Sequence, residues 1–243
     1  MLYKDEAVVL RTMRLGEADR IVTLLGRASG KVRAVAKGVR KTRSRIGSRL
    51  EPFSHVSVVL WKGRGDLDTV SQVDVVQTFR NVRGDLTRFA LGEIMLEAAD
   101  RVVQDRERSP RVFTLLVDGL QGLDASGSPL VMASFLLRLS SAAGFAPRLD
   151  ACAECGAPAG WFSPGQGGAV CGRCRNRDAE DVGSGVLELL HDVMREGAWM
   201  GASGDAGVIA VRLARHYAEY HLERRLRAAA AADVILLPGP TPV

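Results

Sequence analysis

The first 80 residues alternate between apolar and polar side chains in short runs, which is the period of β-strands. The runs are separated by turns that contain glycine or proline, and they predict strands at 7–10, 20–25, 31–37, 55–61 and 67–76. Two hairpin turns are predicted at 15–19 and 62–66. Five short strands in about 75 residues are typical of a small barrel. We therefore predict an OB-type β-barrel, and an SH3-like barrel is the second interpretation.

After Gly84 the apolar positions follow the spacing of helices. Ser109 and Ser128 each precede a proline, which is typical of a helix that begins there, and Gly144 is expected to end the third helix. Helical spacing resumes over two further stretches, and a proline-containing tail that we expect to be extended or disordered closes the sequence. These three segments are 185–200, 206–231 and 233–243. The whole pattern predicts a multi-domain α+β protein.

Positive charge is concentrated in the barrel segment. Residues 1–80 contain sixteen Lys or Arg against eight Asp or Glu, a net charge of +8, whereas the remainder has seventeen against twenty, a net charge of −3. A block of like charge repels itself unless a polyanion neutralises it. We predict that the following residues, which no carboxylate interrupts, contact nucleic acid: Lys31, Arg33, Lys37, Arg40, Lys41, Arg43, Arg45 and Arg49. A solvated basic loop is the alternative interpretation.

The third predicted strand places its cations on one face. Its apolar face consists of Val32, Ala34 and Ala36, and its cationic face of Lys31, Arg33 and Lys37. The polar stretch 38–45 continues the positive charge and is flexible enough to follow a phosphate backbone. The aromatic residues of the barrel segment are Tyr3, Phe53, Trp61 and Phe79. Because some of them must be core, few are left to stack on bases, and binding should be mainly electrostatic, tolerant of sequence and able to accept duplex.

All four cysteines fall in one short segment. Cys152 and Cys155 form one CxxC pair, Cys171 and Cys174 form a second, and fifteen residues separate the pairs. This spacing is typical of a zinc ribbon, in which residues 161–170 would form a β-excursion between the two turns. Four thiolates fill a tetrahedral shell, so we predict one structural zinc ion. Two disulfides or a redox pair are the alternatives.

Signatures of catalysis are missing from the sequence. His216 and His221 are five residues apart without an HExxH motif, and no GxSxG motif occurs. Glu93, Glu97 and Asp100 would share one helical face, which we interpret as a solvated acidic face. We therefore expect a protein that is not an enzyme. No apolar run approaches about 18–20 residues and no secretory signal opens the chain, so a cytoplasmic protein is expected. Binding to DNA would make it nucleoid-associated.

Four segments of the chain resemble the bacterial RecO recombination-mediator family. They are 6–12 (EAVVLRT), 16–20 (GEADR), 36–41 (AKGVRK) and 144–149 (GFAPRL), in the same order and at similar spacing as in the family. The resemblance extends over nearly the whole chain. It implies the following division: an OB-type barrel at 1–80, helical parts at 81–149 and 181–232, an inserted zinc ribbon at 150–180 and a tail at 233–243.

The resemblance also implies a function. A member of this family would bind single- and double-stranded DNA, anneal complementary strands and act with RecR to help RecA replace single-stranded-DNA-binding protein. The groove for the acidic tail of that protein is expected in the helical domain, with Arg138, Arg212 and Arg215 as contributors. An RNA-binding or translation-associated protein with a barrel and a ribbon would share the same charge pattern. A nuclease would need clustered carboxylates beside the basic face, which the sequence does not show.

Overall fold

The computed structural model describes residues 1–40, 46–196 and 204–230. The amino-terminal part consists of five strands: β1 (Leu2–Leu15), β2 (Asp19–Gly26), β3 (Gly30–Ala36), β4 (His55–Trp61) and β5 (Leu67–Gln77). They close into a barrel in the order β1-β2-β3-β5-β4, in which β3 and β5 are parallel and the other neighbours antiparallel. This five-stranded barrel confirms the predicted OB-type architecture.

The strand bounds agree with the sequence pattern except in β1. That strand is fourteen residues long, whereas the alternation predicts only 7–10. Its pairing with β2 shifts register between Val9 and Arg11, so Leu10 is a bulge that breaks the period of two. The two predicted hairpin turns are confirmed, since β1 and β4 each end beside them and the next strand begins at Asp19 or Leu67.

The barrel interior is filled by the apolar face of each strand. The predicted alternation of β3 is confirmed, because Val32, Ala34 and Ala36 are buried while the residues between them are half-buried. Leu50, at the end of a short 3-10 turn (Gly47–Leu50), is fully buried in the same cluster. The turn therefore closes one end of the barrel with an apolar plug.

Over the described residues of the carboxyl-terminal part, six helices are formed: α1 (Arg80–Gly84), α2 (Leu86–Val102), α3 (Pro110–Ser126), α4 (Pro129–Ala142), α5 (Gly183–Glu196) and α6 (Asp205–His221). Ser128 caps α4 as predicted, with its hydroxyl accepting from the Leu130 amide at 3.3 Å. Ser109 occupies the N-cap position of α3 but makes no side-chain capping bond. Gly144, with φ +96°, follows the end of α4, as predicted.

The prediction of one continuous helix over 206–231 is wrong. Helix α6 ends at His221, Glu223 takes a left-handed φ of +54°, and a separate helical turn follows at 227–230. The carboxylate of Glu97 on α2 accepts hydrogen bonds from the amides of Arg227 at 3.0 Å and Ala228 at 2.8 Å. These bonds cap the new turn and hold it on α2. The predicted segment 197–200, residue 231 and the tail 233–243 lie outside the described residues.

One apolar core joins the barrel to the helices. Val8, Leu10 and Leu25, on the outer face of β1 and β2, pack in the same cluster as the buried side chains of α2, α3 and α4. A second cluster joins α4, α5 and α6 to Phe162 of the cysteine-containing segment. Barrel, helices and that segment therefore form one packed body. Within the described residues, none of the helices has the length and apolarity that crossing a membrane requires.

Candidate nucleic-acid interface and metal centre

The tip of the β2–β3 hairpin is covered by the loop between α2 and α3. The Arg106 amide donates to the Lys31 carbonyl at 2.8 Å, and Arg108 Nε donates to the Ala28 carbonyl at 2.6 Å. At Gly30, with φ +71°, a Cβ atom would lie only 1.9 Å from the Glu107 carbonyl oxygen. A glycine is thus required by both backbone conformation and space. The β2–β3 end of the barrel is a domain contact and not an open binding face.

A buried carboxylate makes a second link at the same contact. Asp68 of β5 is fully buried and accepts from Arg106 Nη2 at 3.0 Å, from the Gly63 amide at 3.1 Å and from the Tyr3 hydroxyl. Burial alone would raise the pKa of Asp68, but the hydrogen bonds from Arg106 and Tyr3 lower it below the ordinary value. Conversely, burial and the bond to Asp68 raise the pKa of Tyr3. Asp68 is therefore ionised at neutral pH and binds Arg106 to the barrel.

Lys31 belongs to this domain contact, which differs from its predicted role. Its Nζ donates to the Asp100 carbonyl at 2.6 Å and lies 3.4 Å from the Asp100 carboxylate and 3.6 Å from that of Asp105. Only 14% of the side chain is exposed. Sequence reasoning missed this because both carboxylates are about 70 residues away along the chain. Lys31 is neutralised within the protein.

The other predicted cations of the segment are spread over three places. Arg33 is half-buried on the outer face of β3, and Lys37, directly after β3, is exposed. Arg40 donates from Nη1 to the Gly16 carbonyl at 3.0 Å, on the β1–β2 turn. Arg49 donates to the Val73 carbonyl of β5 at 2.8 Å. The remaining predicted contacts, Lys41, Arg43 and Arg45, lie outside the described residues.

Two further arginines stand beside Arg40 and were missed by the sequence reasoning. Arg14 and Arg20 are directly opposite each other on β1 and β2, one residue outside the hairpin turn. The sequence could have indicated this pair, because both arginines directly flank the predicted hairpin turn 15–19 and residues at such positions face each other. Together with Arg40 they line a cavity of about 420 Å³ at the end of the barrel. Four cations of the barrel therefore lie around the β1–β2 turn and the end of β3: Arg14, Arg20, Lys37 and Arg40.

Few aromatic side chains of the barrel are available for stacking on bases. Phe53 and Phe79 are buried, and the Tyr3 hydroxyl is bound to Asp68. Trp61, at the end of β4, is 52% exposed. Of the four aromatics considered in the sequence, Trp61 alone presents an open ring within the described residues.

The three carboxylates predicted to share one face of α2 do not form a solvated acidic face. Asp100 pairs with Lys31 and also accepts from Arg11 Nε at 3.0 Å, while Glu97 caps residues 227 and 228 and pairs with Arg101. Glu93 is half-buried, and burial followed by the Glu97 charge raises its pKa. Asp100 therefore holds the barrel on α2, and Glu97 holds the last helical turn there.

The four cysteines come together as the spacing predicts. The Sγ atoms of Cys152, Cys155, Cys171 and Cys174 all lie within 4.8 Å of one another, and those of Cys155 and Cys171 are 3.7 Å apart. Between the two CxxC turns, β6 (Trp161–Ser163) and β7 (Gly168–Val170) pair as an antiparallel hairpin, and β8 (Glu180–Asp181) adds a third strand to it. The hairpin confirms the predicted β-excursion. Four sulfur ligands at this spacing can hold a metal ion.

The electrostatics of the cluster also fit a cation. Backbone amides, first that of Cys155, lower the pKa of the Cys152 thiol to about 6, and those of Cys174 and Arg173 lower the pKa of Cys171. The crowded sulfur atoms of Cys155 and Cys171 raise the pKa of Cys174 to about 12. Two thiols therefore have a lowered pKa and a third has a raised one. A bound dication would lower that raised pKa, since it stabilises every thiolate around it.

A basic groove of about 860 Å³ lies between α6 and the segment that follows it. Arginines supply most of its charged lining: Arg212, Arg215, Arg224, Arg225 and Arg227. Two of the three arginines predicted for a peptide groove, Arg212 and Arg215, are among them. Arg212 is bound to Glu180 of β8, whose pKa it lowers, and the exposed ring of Tyr220 also lines the groove. The arrangement is suited to an acidic, partly apolar ligand.

Comparison with known families covers almost the whole described chain. Residues 1–79 match the family model described as "Recombination protein O N terminal", and residues 83–230 match the one described as "Recombination protein O C terminal". The boundary between the two matches falls at α1, where the barrel gives way to the helices.

Curated relatives match over nearly their full length. A "DNA repair protein RecO" of Frankia casuarinae is 46% identical over 237 residues, which is 93% of this chain and 96% of that protein. Proteins of the same name from a Nocardioides species and from Thermobifida fusca are 44% and 42% identical. They cover 96% and 93% of this chain and 100% and 96% of their own lengths.

Proposed function

The chain belongs to the RecO family of DNA repair proteins, and from that premise we propose that it is a non-catalytic recombination mediator. It binds single- and double-stranded DNA, anneals complementary strands and, with RecR, helps load RecA onto DNA coated by single-stranded-DNA-binding protein. The observation that carries the DNA-binding part is the cationic end of the barrel, where Arg14, Arg20, Lys37 and Arg40 surround the β1–β2 turn. We also propose that the protein is located in the cytoplasm, in association with the nucleoid.

The barrel supports a phosphate-tracking contact more than one that reads bases. Arg33, Lys37 and Arg40 remain as predicted contacts among the described residues, since Arg40 is exposed although its Nη1 donates to the Gly16 carbonyl. Lys31 is held in the domain contact, and Arg49 is bound to Val73 on β5. Trp61 supplies one exposed ring, where base-stacking proteins use several. Phosphate contacts carry no sequence information, so both strand types and all sequences should bind. Lys41, Arg43 and Arg45 extend the same charge along the chain and remain part of the proposal.

We propose zinc as the ion of the cysteine cluster. Zn–S bonds of about 2.3 Å in a tetrahedron place sulfur atoms about 3.8 Å apart, and Cys155 and Cys171 are separated by 3.7 Å. Four thiolate ligands leave no position for a reactive water, so the ion is structural. It would hold a segment whose apolar cluster contains few residues besides Cys152, Val170 and Cys171.

The basic groove beside α6 is proposed to receive the acidic tail of single-stranded-DNA-binding protein. Arg215 and Arg224 line it, and Tyr220 offers an apolar surface among them. One guanidinium group can donate two parallel hydrogen bonds to one carboxylate, which suits an acidic peptide. A peptide made of that tail should bind the wild type and lose affinity in Arg224→Gln, while DNA binding to the barrel is unchanged.

A strand-annealing assay tests the main proposal. Two complementary oligodeoxynucleotides that carry a donor and an acceptor dye should anneal faster with the protein than without it. The same acceleration by the protein is expected when single-stranded-DNA-binding protein coats both strands. Magnesium should cause no strand cleavage. Tight preference for RNA in a competition experiment would favour the RNA-binding alternative, and magnesium-dependent cleavage would favour a nuclease. Either result contradicts the proposal.

A further inference from the structure

The cavity at the end of the barrel contains an unusual arrangement of like charges. Arg14 and Arg20 are directly opposite each other in the antiparallel pair of β1 and β2. Facing side chains at such positions have Cβ atoms about 4.5–5.5 Å apart, and like charges there repel. Arg40 approaches the same place from the end of β3. Three guanidinium groups therefore line one cavity, which protein stability alone would disfavour.

One carboxylate lies among them. Glu51 Oε1 is 2.6 Å from Arg20 Nη1, and both side chains remain partly exposed, at 41% and 26%. The other lining residues are Val39, Gly47 and Ser48, which are uncharged. Among the described lining residues, one negative charge against three positive charges gives a net charge of +2. An anion from outside would balance it.

The walls of the cavity are fixed by hydrogen bonds and by close packing. The Gly38 amide donates to Asp19 Oδ1 at 2.7 Å, and the Arg40 amide donates to the Ala18 carbonyl at 3.0 Å. Gly47 packs so closely that a Cβ atom would lie 2.4 Å from the Val39 carbonyl oxygen. The end of β3, the β1–β2 turn and the 3-10 turn are thus held together before any ligand arrives. Such preorganisation reduces the cost of binding.

We propose that this cavity seats one backbone phosphate of nucleic acid, and that Glu51 competes with this phosphate for the guanidinium of Arg20. The inference rests on the proposed DNA-binding function and assigns it a defined anchor point. One guanidinium group can donate two parallel hydrogen bonds to two oxygens of a phosphate, and Arg14 and Arg40 supply further donors. Glu51 neutralises Arg20 in the free protein. When a phosphate enters, it displaces the carboxylate, so the carboxylate limits affinity.

The roles of Glu51 and the arginines predict opposite effects. Binding of a labelled oligothymidylate is measured by fluorescence anisotropy for Glu51→Gln, Arg14→Gln and Arg20→Gln. Loss of an arginine should weaken binding about three- to tenfold and reduce the salt slope by about 0.7. Glu51→Gln, which keeps the shape of the side chain, should tighten binding about three- to tenfold. This gain should disappear in the double variant Arg20→Gln/Glu51→Gln, because its origin is the release of Arg20.

Two matched controls separate the cavity from general charge effects. Glu17→Gln removes an exposed carboxylate from the β1–β2 turn outside the cavity lining, and Arg111→Gln removes an exposed arginine from α3. Arg111→Gln should change affinity by less than about twofold, and Glu17→Gln, whose carboxylate does not pair with Arg20, should tighten binding less than Glu51→Gln does. Thermal melting of every variant checks folding. If an arginine variant unfolds, Glu51→Gln and its Glu17→Gln control still decide the question.

The outcomes distinguish this inference from the function on which it rests. If the wild type binds DNA with a steep salt dependence but Glu51→Gln and Glu17→Gln behave alike, the cavity is not an anchor and the proposed function stands. If the wild type does not bind DNA at low salt, both the proposed function and the assignment of the cavity are wrong. A titration with inorganic phosphate at constant ionic strength distinguishes the source of the anion. Loss of phosphate-ion binding in Arg14→Gln without loss of oligothymidylate affinity would overturn the assignment to nucleic acid.

Discussion

Lys31 of β3 donates a hydrogen bond to the main-chain oxygen of Asp100 on α2, at 2.6 Å, and its Nζ lies 3.4 Å from the Asp100 carboxylate. A cation of the charged block thus joins the barrel to the helices instead of facing solvent. Lys37, six residues later, is exposed. One strand therefore begins in a domain contact and leads to the proposed DNA surface.

This division predicts opposite phenotypes for two lysines of the same segment. Lys31→Met should lower the free energy of unfolding by about 1–2 kcal/mol, because it removes the hydrogen bond to the Asp100 carbonyl and one of the two cations that pair with the Asp100 carboxylate. Its DNA affinity should stay within about twofold of the wild type. Lys37→Met should leave stability unchanged and weaken DNA binding. Urea titration and fluorescence anisotropy measure the two quantities.

The converse pair of results would contradict this assignment. If Lys31→Met weakened DNA binding strongly at unchanged stability, the ammonium would have to leave the domain contact when DNA binds. The sequence-based assignment of Lys31 to the DNA surface would then be correct.

Arg106 and Asp68 predict a pH-dependent contribution to stability. The pKa of Asp68 in the folded protein is below its ordinary value of 3.8. Its ion pair therefore stabilises the fold fully above about pH 4, and this contribution is lost as the pH falls through the folded-state pKa. Arg106→Gln should cost about 2 kcal/mol at neutral pH, since it leaves a buried carboxylate without its cation.

The difference between Arg106→Gln and the wild type should shrink in acid. Protonation of Asp68 removes the unpaired buried charge from the variant, and it removes the ion pair with Arg106 from the wild type. Urea titrations between pH 3 and 8 measure this difference. A difference that stayed constant, or grew as the pH fell, would show that the charge of Asp68 is not what Arg106 stabilises.

Local periodicity was sufficient for most of the barrel and the metal ligands. The bounds of β4 agree with the pattern because buried and more exposed residues alternate without interruption from Val56 to Trp61. The two CxxC pairs could be recognised because each pair is local and the ligand spacing is characteristic. Where the period is broken, as at the Leu10 bulge, the prediction stopped too early.

Contacts between distant residues account for what the sequence could not predict. Helical spacing continues past His221, but Glu97, about 130 residues earlier, caps a new turn at Arg227 and Ala228. Asp100, the partner of Lys31, and the residues that line the cavity with Arg40 likewise come from other segments. Propensity says nothing about such pairs, because the tertiary fold creates them.

Removal of the proposed zinc ion should loosen the segment 150–180 without loss of DNA binding. Chelation, or Cys174→Ser, is expected to increase hydrogen exchange of the amides of residues 150–180, because the ion replaces an apolar core that this segment lacks. Anisotropy should give an unchanged DNA affinity, since the barrel has its own core. Loss of DNA affinity with the barrel intact would move the main site to the ribbon, where Arg173 and Arg175 lie.

Glu97 predicts that the last helical turn depends on a single carboxylate. Glu97→Ala removes the acceptor of the Arg227 and Ala228 amides and should cost about 1–2 kcal/mol of stability. Hydrogen exchange at these two amides should rise most. Glu93→Gln on the preceding turn is the control, and it should leave them protected. Equal protection of both amides in Glu97→Ala would show that apolar packing of Leu226 and Ala229 holds the turn.

The central claim is that the barrel binds DNA through phosphates near the end of β3 and the β1–β2 turn. It is tested most directly by the salt dependence of DNA affinity in the wild type and in the triple variant Lys37→Ala/Arg40→Ala/Lys41→Ala. If about four to eight phosphates are neutralised, log K should fall with log salt at about 0.7–0.9 per contact in the wild type, and the variant should bind more weakly with a flatter slope. Unaltered affinity and slope in the variant would contradict the account.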